Sequence, residues 1–254
     1  MRIMSYNVLN PIWCSTVDYV PVEGRVELVR DIILDYKPDV VGLQEAESSW
    51  HNALDSYLCS KGTYKFACKY NNGGAYNMTT FLYNSKTVKL VDEYIIDLET
   101  LSEIRVFAVA IFERLSDGTR FVVTNTHPAP PSQAENYERN FIDLLNTGAT
   151  EIEKYKNLPF IMTGDFNTKE QASQYNHLMS YIGVKDAKYK AKTLVKDYCT
   201  FSGFNVLPKK GNSNCIDHIF VNNKMTVKKF DVIIDHSVQK ASDHIPIYAD
   251  ITLK

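Results

Sequence analysis

The chain has 254 residues, of which 44% are hydrophobic and 23% charged, a balance that excludes disordered and collagen-like chains and leaves enough apolar residues for a sizeable core. Lys plus Arg number 28 against 30 Asp plus Glu, for a formal net charge of −2. No global positive field would gather a long polyanion, so nucleic acid is not the favoured partner, although a local basic patch could still hold a phosphate.

The first apolar run, Ile3 to Leu9, predicts a strand. Val26, Val29, Ile32, Ile33 and Tyr36 then fall at helical spacing, and Pro38-Asp39 ends that helix before a short buried strand at Val40-Val41-Gly42-Leu43. Trp50, Leu54, Tyr57 and Leu58 suggest a second helix. Tyr64–Cys68, Thr79–Tyr83, Val88–Ile96, Arg105–Phe112 and Phe121–Thr126 read as consecutive antiparallel strands. A long helix is expected over Gln133–Tyr155, followed by strands at Phe160–Thr163, Cys215–Val221, Val227–Ile234 and Ile247–Leu253. The stretch Gly183–Gly211 has weak periodicity and reads as a long excursion, which in a compact domain is more often functional than idle.

No Pro/Gly/Ser-rich linker divides the chain, so one domain over residues 1–254 is expected, as a monomer. Two packed sheets flanked by helices are the architecture this element order implies. Cys14, Cys59, Cys68, Cys199 and Cys215 are odd in number and lack metal-ligand spacing, so they read as reduced core thiols. No run approaches the roughly 20 apolar residues of a membrane span. With no basic-then-apolar leader before Met1, the chain reads as cytoplasmic as given, or as exported if a signal peptide has been removed.

Polar and acidic residues punctuate the apolar strands at Ser5-Tyr6-Asn7, Leu43-Gln44-Glu45, Asn125-Thr126-His127, Gly164-Asp165-Phe166-Asn167 and Ser242-Asp243-His244, which are read as strand ends. Ile216-Asp217-His218 falls inside a strand. Acids gathered at one sheet edge repel one another unless a cation or hydrogen bonds hold them, so a metal site is the economical reading. Oxygen ligands without cysteine point to Mg²⁺, with Mn²⁺ possible. Any one of these residues alone is more often a turn or helix cap.

Taken together and in order, these six motifs resemble the endonuclease/exonuclease/phosphatase family, GDFN at 164–167 and SDH at 242–244 being the most specific. The resemblance spans essentially the whole chain. It implies a four-layer α/β sandwich: two mixed, mostly antiparallel sheets packed face to face with helices outside. It also implies that Glu45 is the principal metal ligand, with Asn7 and Asp243 close to the metal or its waters. Asp165 would activate the attacking water, Asn167 would hold a phosphoryl oxygen, and His244, oriented by Asp217, would contact the phosphate or transfer a proton.

His127-Pro128-Ala129-Pro130 is most similar to the deoxyribonuclease branch, as is Arg105, which there would bind phosphate as a planar fork. His127 would share the catalytic and phosphate-binding work. That branch has an acid beside the first histidine, and Asn77 aligns there in this chain. An amide can orient an imidazole but cannot raise its pKa by charge.

The function expected is therefore a Mg²⁺-dependent phosphodiesterase or phosphatase. With near-neutral charge, a small phosphorylated metabolite, a sugar or inositol phosphate, or a lipid headgroup ranks above DNA or RNA. A deoxyribonuclease-like enzyme and a catalytically inactive binding module of the same fold are the alternatives, and the intact acid and histidine set speaks against the second. His218 is expected to be structural, and His51, His177 and His236 to cap or lie at the surface. The lysine run 185–192 reads as a solvated loop, with substrate gripping as its alternative.

Overall fold

A computed structural model describes residues 1–14, 18–101 and 104–254. Strand β1 (Arg2–Asn7), helix α1 (Arg25–Tyr36) and strand β2 (Val40–Gln44) form a crossover unit whose strands pair in parallel from Ile3↔Val40 to Asn7↔Gln44. Helix α1 packs Val26, Val29, Ile32 and Ile33 inward. It stops where Lys37 takes a left-handed conformation and donates its backbone N–H to Ile33, with Pro38 unable to continue the helix.

Helix α2 (Ser48–Leu54) runs into a π-helical turn at Asp55–Cys59, then come β3 (Tyr64–Ala67), β4 (Thr80–Asn84), β5 (Val88–Leu98), β6 (Arg105–Arg114) and β7 (Arg120–Thr126). Helix α3 (Ala134–Lys154), strand β8 (Phe160–Asp165) and helix α4 (Ser173–Ile182) follow. The excursion after Gly183 holds β9 (Lys185–Asp186), α5 (Ala187–Lys190) and β10 (Thr193–Leu194). The chain finishes with β11 (Asp217–Val221), β12 (Met225–Val232), α6 (Val238–Ala241) and β13 (Ile247–Leu253).

The strands form a seven-stranded sheet in the order β10-β12-β13-β1-β2-β4-β3 and a six-stranded sheet in the order β5-β6-β7-β8-β11-β9. Val29, Ile32, Ile33, Trp50 and Leu54 of α1 and α2 join a core cluster with β1, β2 and β13. On the other side, Phe141, Leu144, Leu145, Tyr175, Leu178 and Ile182 of α3 and α4 pack against Phe107, Val109, Ile111 and Val122. The result is the four-layer α/β sandwich, helix–sheet–sheet–helix.

Three local readings are corrected. Helix α4 is not anticipated, although Tyr175, Leu178, Met179 and Ile182 carry its spacing; the short amphipathic stripe is overshadowed by the neighbouring GDFN motif. Asp217 begins β11 rather than lying inside it, and Ser242-Asp243-His244 precede β13 rather than ending a strand. The lysine run is not simply a solvated loop, because Lys188 is buried in ion pairs with Glu170 at 2.9 Å and Asp197 at 2.8 Å.

Between the sheets runs a polar seam. Gln44 Nε2 donates to Asn125 Oδ1 at 2.7 Å, and Asn125 Nδ2 donates to the carbonyls of Leu43 at 2.7 Å and Thr80 at 2.9 Å. The close approach depends on Gly42: a Cβ there would lie 2.2 Å from Thr163 Oγ1 and 2.8 Å from Asn125 Oδ1. Gly42→Ala should therefore cost about 2–3 kcal/mol by overpacking, read as a lower urea midpoint. A wild-type midpoint would mean that the sheets do not meet this closely.

Candidate active site

Strand direction gathers the motifs at one end of the sandwich. In the parallel pairs β1/β2 and β7/β8, the C-terminal ends carrying Asn7, Glu45, His127 and Asp165 lie at the same edge. Strand β11 runs antiparallel to β8 with Asp217 opposite Asp165, and β13 runs antiparallel to β1, so Asp243 and His244, just before β13, return to Asn7. Two parallel pairs and two antiparallel neighbours thus bring strand ends and strand starts together.

Four carboxylates meet there almost without water: Glu45, Asp165, Asp217 and Asp243 are 9, 2, 3 and 6% exposed. Asn7 bridges two of them, its Nδ2 donating to Glu45 Oε1 at 3.0 Å and to Asp165 Oδ2 at 3.1 Å. The Asn7 amide oxygen accepts the Leu9 backbone N–H at 3.0 Å, which fixes this orientation and turns the NH₂ group, not the oxygen, toward the carboxylates. Asn10 was not singled out from the sequence, yet its backbone N–H donates to Glu45 Oε2 at 2.7 Å.

Burial, then the charge of Asp243, pushes the Glu45 carboxyl above its usual range, against hydrogen bonding from Asn7. Burial pushes Asp165 up to about 7, with the Asp217 charge adding to this and the His244 charge opposing it. Leu9, Glu45 and Asn167 hold left-handed backbones, with φ of 60, 61 and 50°, a conformation costing non-glycine residues roughly 1–2 kcal/mol each. Such strain concentrates at functional sites.

The two histidines are held in opposite states. His244 Nδ1 lies 2.9 Å from Asp217 Oδ2 and its Nε2 lies 3.5 Å from Asp165 Oδ2. Burial opposes its charge, but Asp217 and Asp165 outweigh burial and raise its pKa well above the ordinary value. His127 Nε2 lies 3.4 Å from Asp165 Oδ2 and 4.0 Å from Glu45 Oε1. Burial, with the cations Arg105 and His244 nearby, holds it well below the ordinary range and therefore neutral.

Glu45, Asp165, Asp243, His127 and His244 line a cleft of about 530 Å³ together with Asn167, Arg105, Trp13 and Phe201. Asn167 is pinned by its Nδ2, which donates to the Pro128 carbonyl at 3.0 Å, while its backbone N–H donates to Asp165 Oδ1 at 2.9 Å. Arg105 donates to the His127 carbonyl at 3.2 Å, with its guanidinium 5.5 Å from the centre of the Trp13 ring. Phe201, from the excursion, packs its ring 4.9 Å from that of His244. Of the candidate residues expected from the sequence, Asn7 and Asp217 do not line this cleft but bond to Glu45, Asp165 and His244, which do, along with the rest.

Arg25 escaped the sequence reading. It is buried and donates to five backbone carbonyls, those of Pro21, Val8, Ala241, Leu9 and Val20, at 2.7–3.1 Å. Burial lowers its pKa to about 10, while Asp243 and Glu45 favour its charge. It ties together the loops that carry Asn10 and Asp243. An arginine in register with Val29, Ile32 and Ile33 on an apolar helix face is the signal that could have revealed it.

Two other readings change. Asn77 does not partner His127; its amide donates to the carbonyls of Cys68 and Thr79, bracing the β3–β4 loop. His51 is fully buried rather than at the surface, beside the Asn77 carbonyl at 2.9 Å. His218 is structural as expected, held between Asp186 at 3.0 Å and the Thr168 carbonyl at 2.9 Å.

The site suits a hard cation. Its donors are mostly carboxylate oxygens whose mutual repulsion a positive charge relieves, and Asp217 Oδ1 is buried without a hydrogen-bond partner among the described residues. Donor atoms of Asp165, Asp217 and His244 lie within 4.8 Å of one another and could hold an ion. That trio is already joined through the imidazole. Glu45 meets an amide, a backbone N–H and the neutral His127, which leaves its charge, beside that of Asp243, more in need of a metal.

Ionising Asp165 costs stability when no metal is present. Its folded pKa, about 7, lies above the ordinary 3.8, so its contribution is full at low pH and is lost as pH rises through that window. In EDTA, the Tm of Asp165→Asn minus that of the wild type should climb across this range. A constant difference would mean that Asp165 stays ionised throughout.

Comparisons with known proteins agree with this geometry. The Endonuclease/Exonuclease/phosphatase family profile matches residues 4–244. Human nocturnin (Homo sapiens) is 28% identical over 202 residues, covering 71% of this chain and 46% of the relative, so the chain spans about half the length of the curated relatives it matches. Among solved structures, the mannosyl-6-phosphatase of Bacteroides thetaiotaomicron superposes with a TM-score of 0.83 at 20% identity over all of both chains. D. rerio TDP2 complexed with a single-strand DNA product superposes with a TM-score of 0.74 at 19% identity, over 99% of this chain and 98% of that one. At these identities the structures establish the fold, and the profile match establishes the lineage: the chain belongs to the Endonuclease/Exonuclease/phosphatase family of phosphoester hydrolases.

Proposed function

We propose that the protein is a Mg²⁺-dependent phosphoester hydrolase, able to use Mn²⁺, whose substrate is a small phosphorylated metabolite such as a sugar or inositol phosphate or a lipid headgroup. The observation that carries this reading is the buried acid cluster beside one cationic and one neutral histidine, at the floor of a cleft of about 530 Å³. Among its described lining residues Arg105 is the one Arg or Lys, so lysines do not line it. A nucleic acid would call for several such cations, to pair with successive phosphates.

Glu45 and Asp243 would hold the metal, with Asn7 fixing the direction of Glu45. A divalent cation there would supply charge neutralisation for the phosphoryl oxygens and for the leaving oxygen. Arg105 and Asn167 bind non-bridging phosphoryl oxygens, and neutral His127 adds a hydrogen-bond donor. Asp165, poised near neutrality, takes the proton of the attacking water as its oxygen bonds to phosphorus. His244, kept cationic by Asp217, stabilises the charge that builds on the phosphoryl group and protonates the departing oxygen. The P–O bond to the leaving group breaks, and phosphate or a phosphomonoester remains.

The test is hydrolysis of p-nitrophenyl phosphate, bis-p-nitrophenyl phosphate, phosphorylated sugars and inositols, plasmid DNA and RNA, with Mg²⁺ or with EDTA. Turnover should require the metal, favour small esters over polymers, and fall at least about a hundredfold in Glu45→Ala. Undiminished activity in EDTA, or in Asp165→Ala, would contradict the assignment.

A further inference from the structure

A second hollow of about 280 Å³ lies on the same end of the sandwich, and Arg105 lines both it and the main cleft. It opens where the outer strands of the two sheets meet. One wall is the end of β5, where Leu98 is the register partner of Arg105 and Asp97 that of Val106. The opposite wall is the β3–β4 loop.

That loop is built rather than loose. Asn71 Oδ1 accepts the backbone N–H groups of Gly73 and Ala75, each at 3.0 Å, and Asn72 Nδ2 reaches across to Asp97 Oδ2 at 3.1 Å. The Asn72–Asp97 bond therefore closes the hollow from sheet to sheet.

The chemistry of the walls selects among ligands. Asp97 repels a second phosphate, which disfavours a polynucleotide backbone. No aromatic ring lines the hollow among the described residues, so a nucleobase would find no stacking partner. An acyl chain would leave Asp97 and Asn72 desolvated without compensation. A carboxylate, an amide and a guanidinium, with Leu98 and Ile104 as the apolar surface, match alternating C–H faces and hydroxyls.

We infer that this hollow is a polyol subsite: the group esterified to the phosphate is a hydroxylated ring, a sugar or a cyclitol, which reaches past Arg105 to bond with Asp97 and Asn72. The inference deepens the small-ester reading above and rests on it. Arg105 then serves two ends, binding the phosphoryl group on one side and ring hydroxyls on the other.

The experiment compares kcat/KM for glucose 6-phosphate and myo-inositol 1-phosphate against p-nitrophenyl phosphate, and for glycerophosphoinositol against bis-p-nitrophenyl phosphate. Wild type, Asn72→Ala and Asp97→Ala are measured with Mg²⁺. Asn72 and Asp97 are exposed, and a Tm for each variant checks folding. The wild type should favour a hydroxylated ester over its nitrophenyl reference, and both variants should lower that ratio at least tenfold, mainly through KM; the better of the two rings says whether the ligand is a sugar or a cyclitol. A ratio within twofold of wild type in both variants would overturn the subsite while leaving the hydrolase reading intact. Failure of the wild type to turn over any of these esters would remove both.

Discussion

Holding four carboxylates out of water at one point is the constraint on which the rest of this structure depends. Burying a single ionised carboxylate is costly, and each further one adds repulsion at low dielectric. Glu45, Asp165, Asp217 and Asp243 are nonetheless all buried where the two sheets meet. Their surroundings are arranged to bear that charge: the Asn7 amide between Glu45 and Asp165, the Asn10 N–H on Glu45, the His244 imidazolium between Asp217 and Asp165, and the buried guanidinium of Arg25 behind Asp243. What remains uncompensated is the negative charge that a metal would take up.

This arrangement assigns different work to groups of the same kind. Asp217 spends one oxygen on His244 and keeps that ring charged, whereas Asp165, pushed up to about 7 chiefly by burial, is suited to exchange a proton. The histidines diverge for the same reason. Close pairing with Asp217 and Asp165 overcomes burial at His244, whereas at His127 burial prevails, with the cations Arg105 and His244 adding to it. The polar seam of Gln44, Asn125 and Thr163 beneath the site lets the sheets approach closely enough for Asn7 of one to bond Asp165 of the other.

Much of this was legible in the residues. The six motifs in order, through the family resemblance they carry, implied the sandwich and pointed to the acids that the fold brings together. Other features lie beyond local pattern. Helix α4 is one short stripe of four residues beside a stronger motif. The left-handed backbone at Glu45 is a tertiary consequence invisible in Leu43-Gln44-Glu45. Asn77 aligned with an acid partner of His127, yet its side chain is spent on its own loop, since an alignment position does not specify a rotamer. Arg25 carries no motif; its importance appears only when five carbonyls, four from the β1–α1 connection and one from the end of α6, converge on it.

The claim that most needs a direct test is that the buried acid cluster exists to hold a divalent cation. Calorimetric titration of Mg²⁺ into metal-free protein at neutral pH, repeated in buffers of different ionisation enthalpy, addresses it. The account predicts saturable binding accompanied by proton release, because Asp165, pushed up to about 7, is partly protonated at neutral pH without metal, and predicts loss of that binding in Glu45→Gln. Binding that is absent, or that survives Glu45→Gln unchanged, would contradict it.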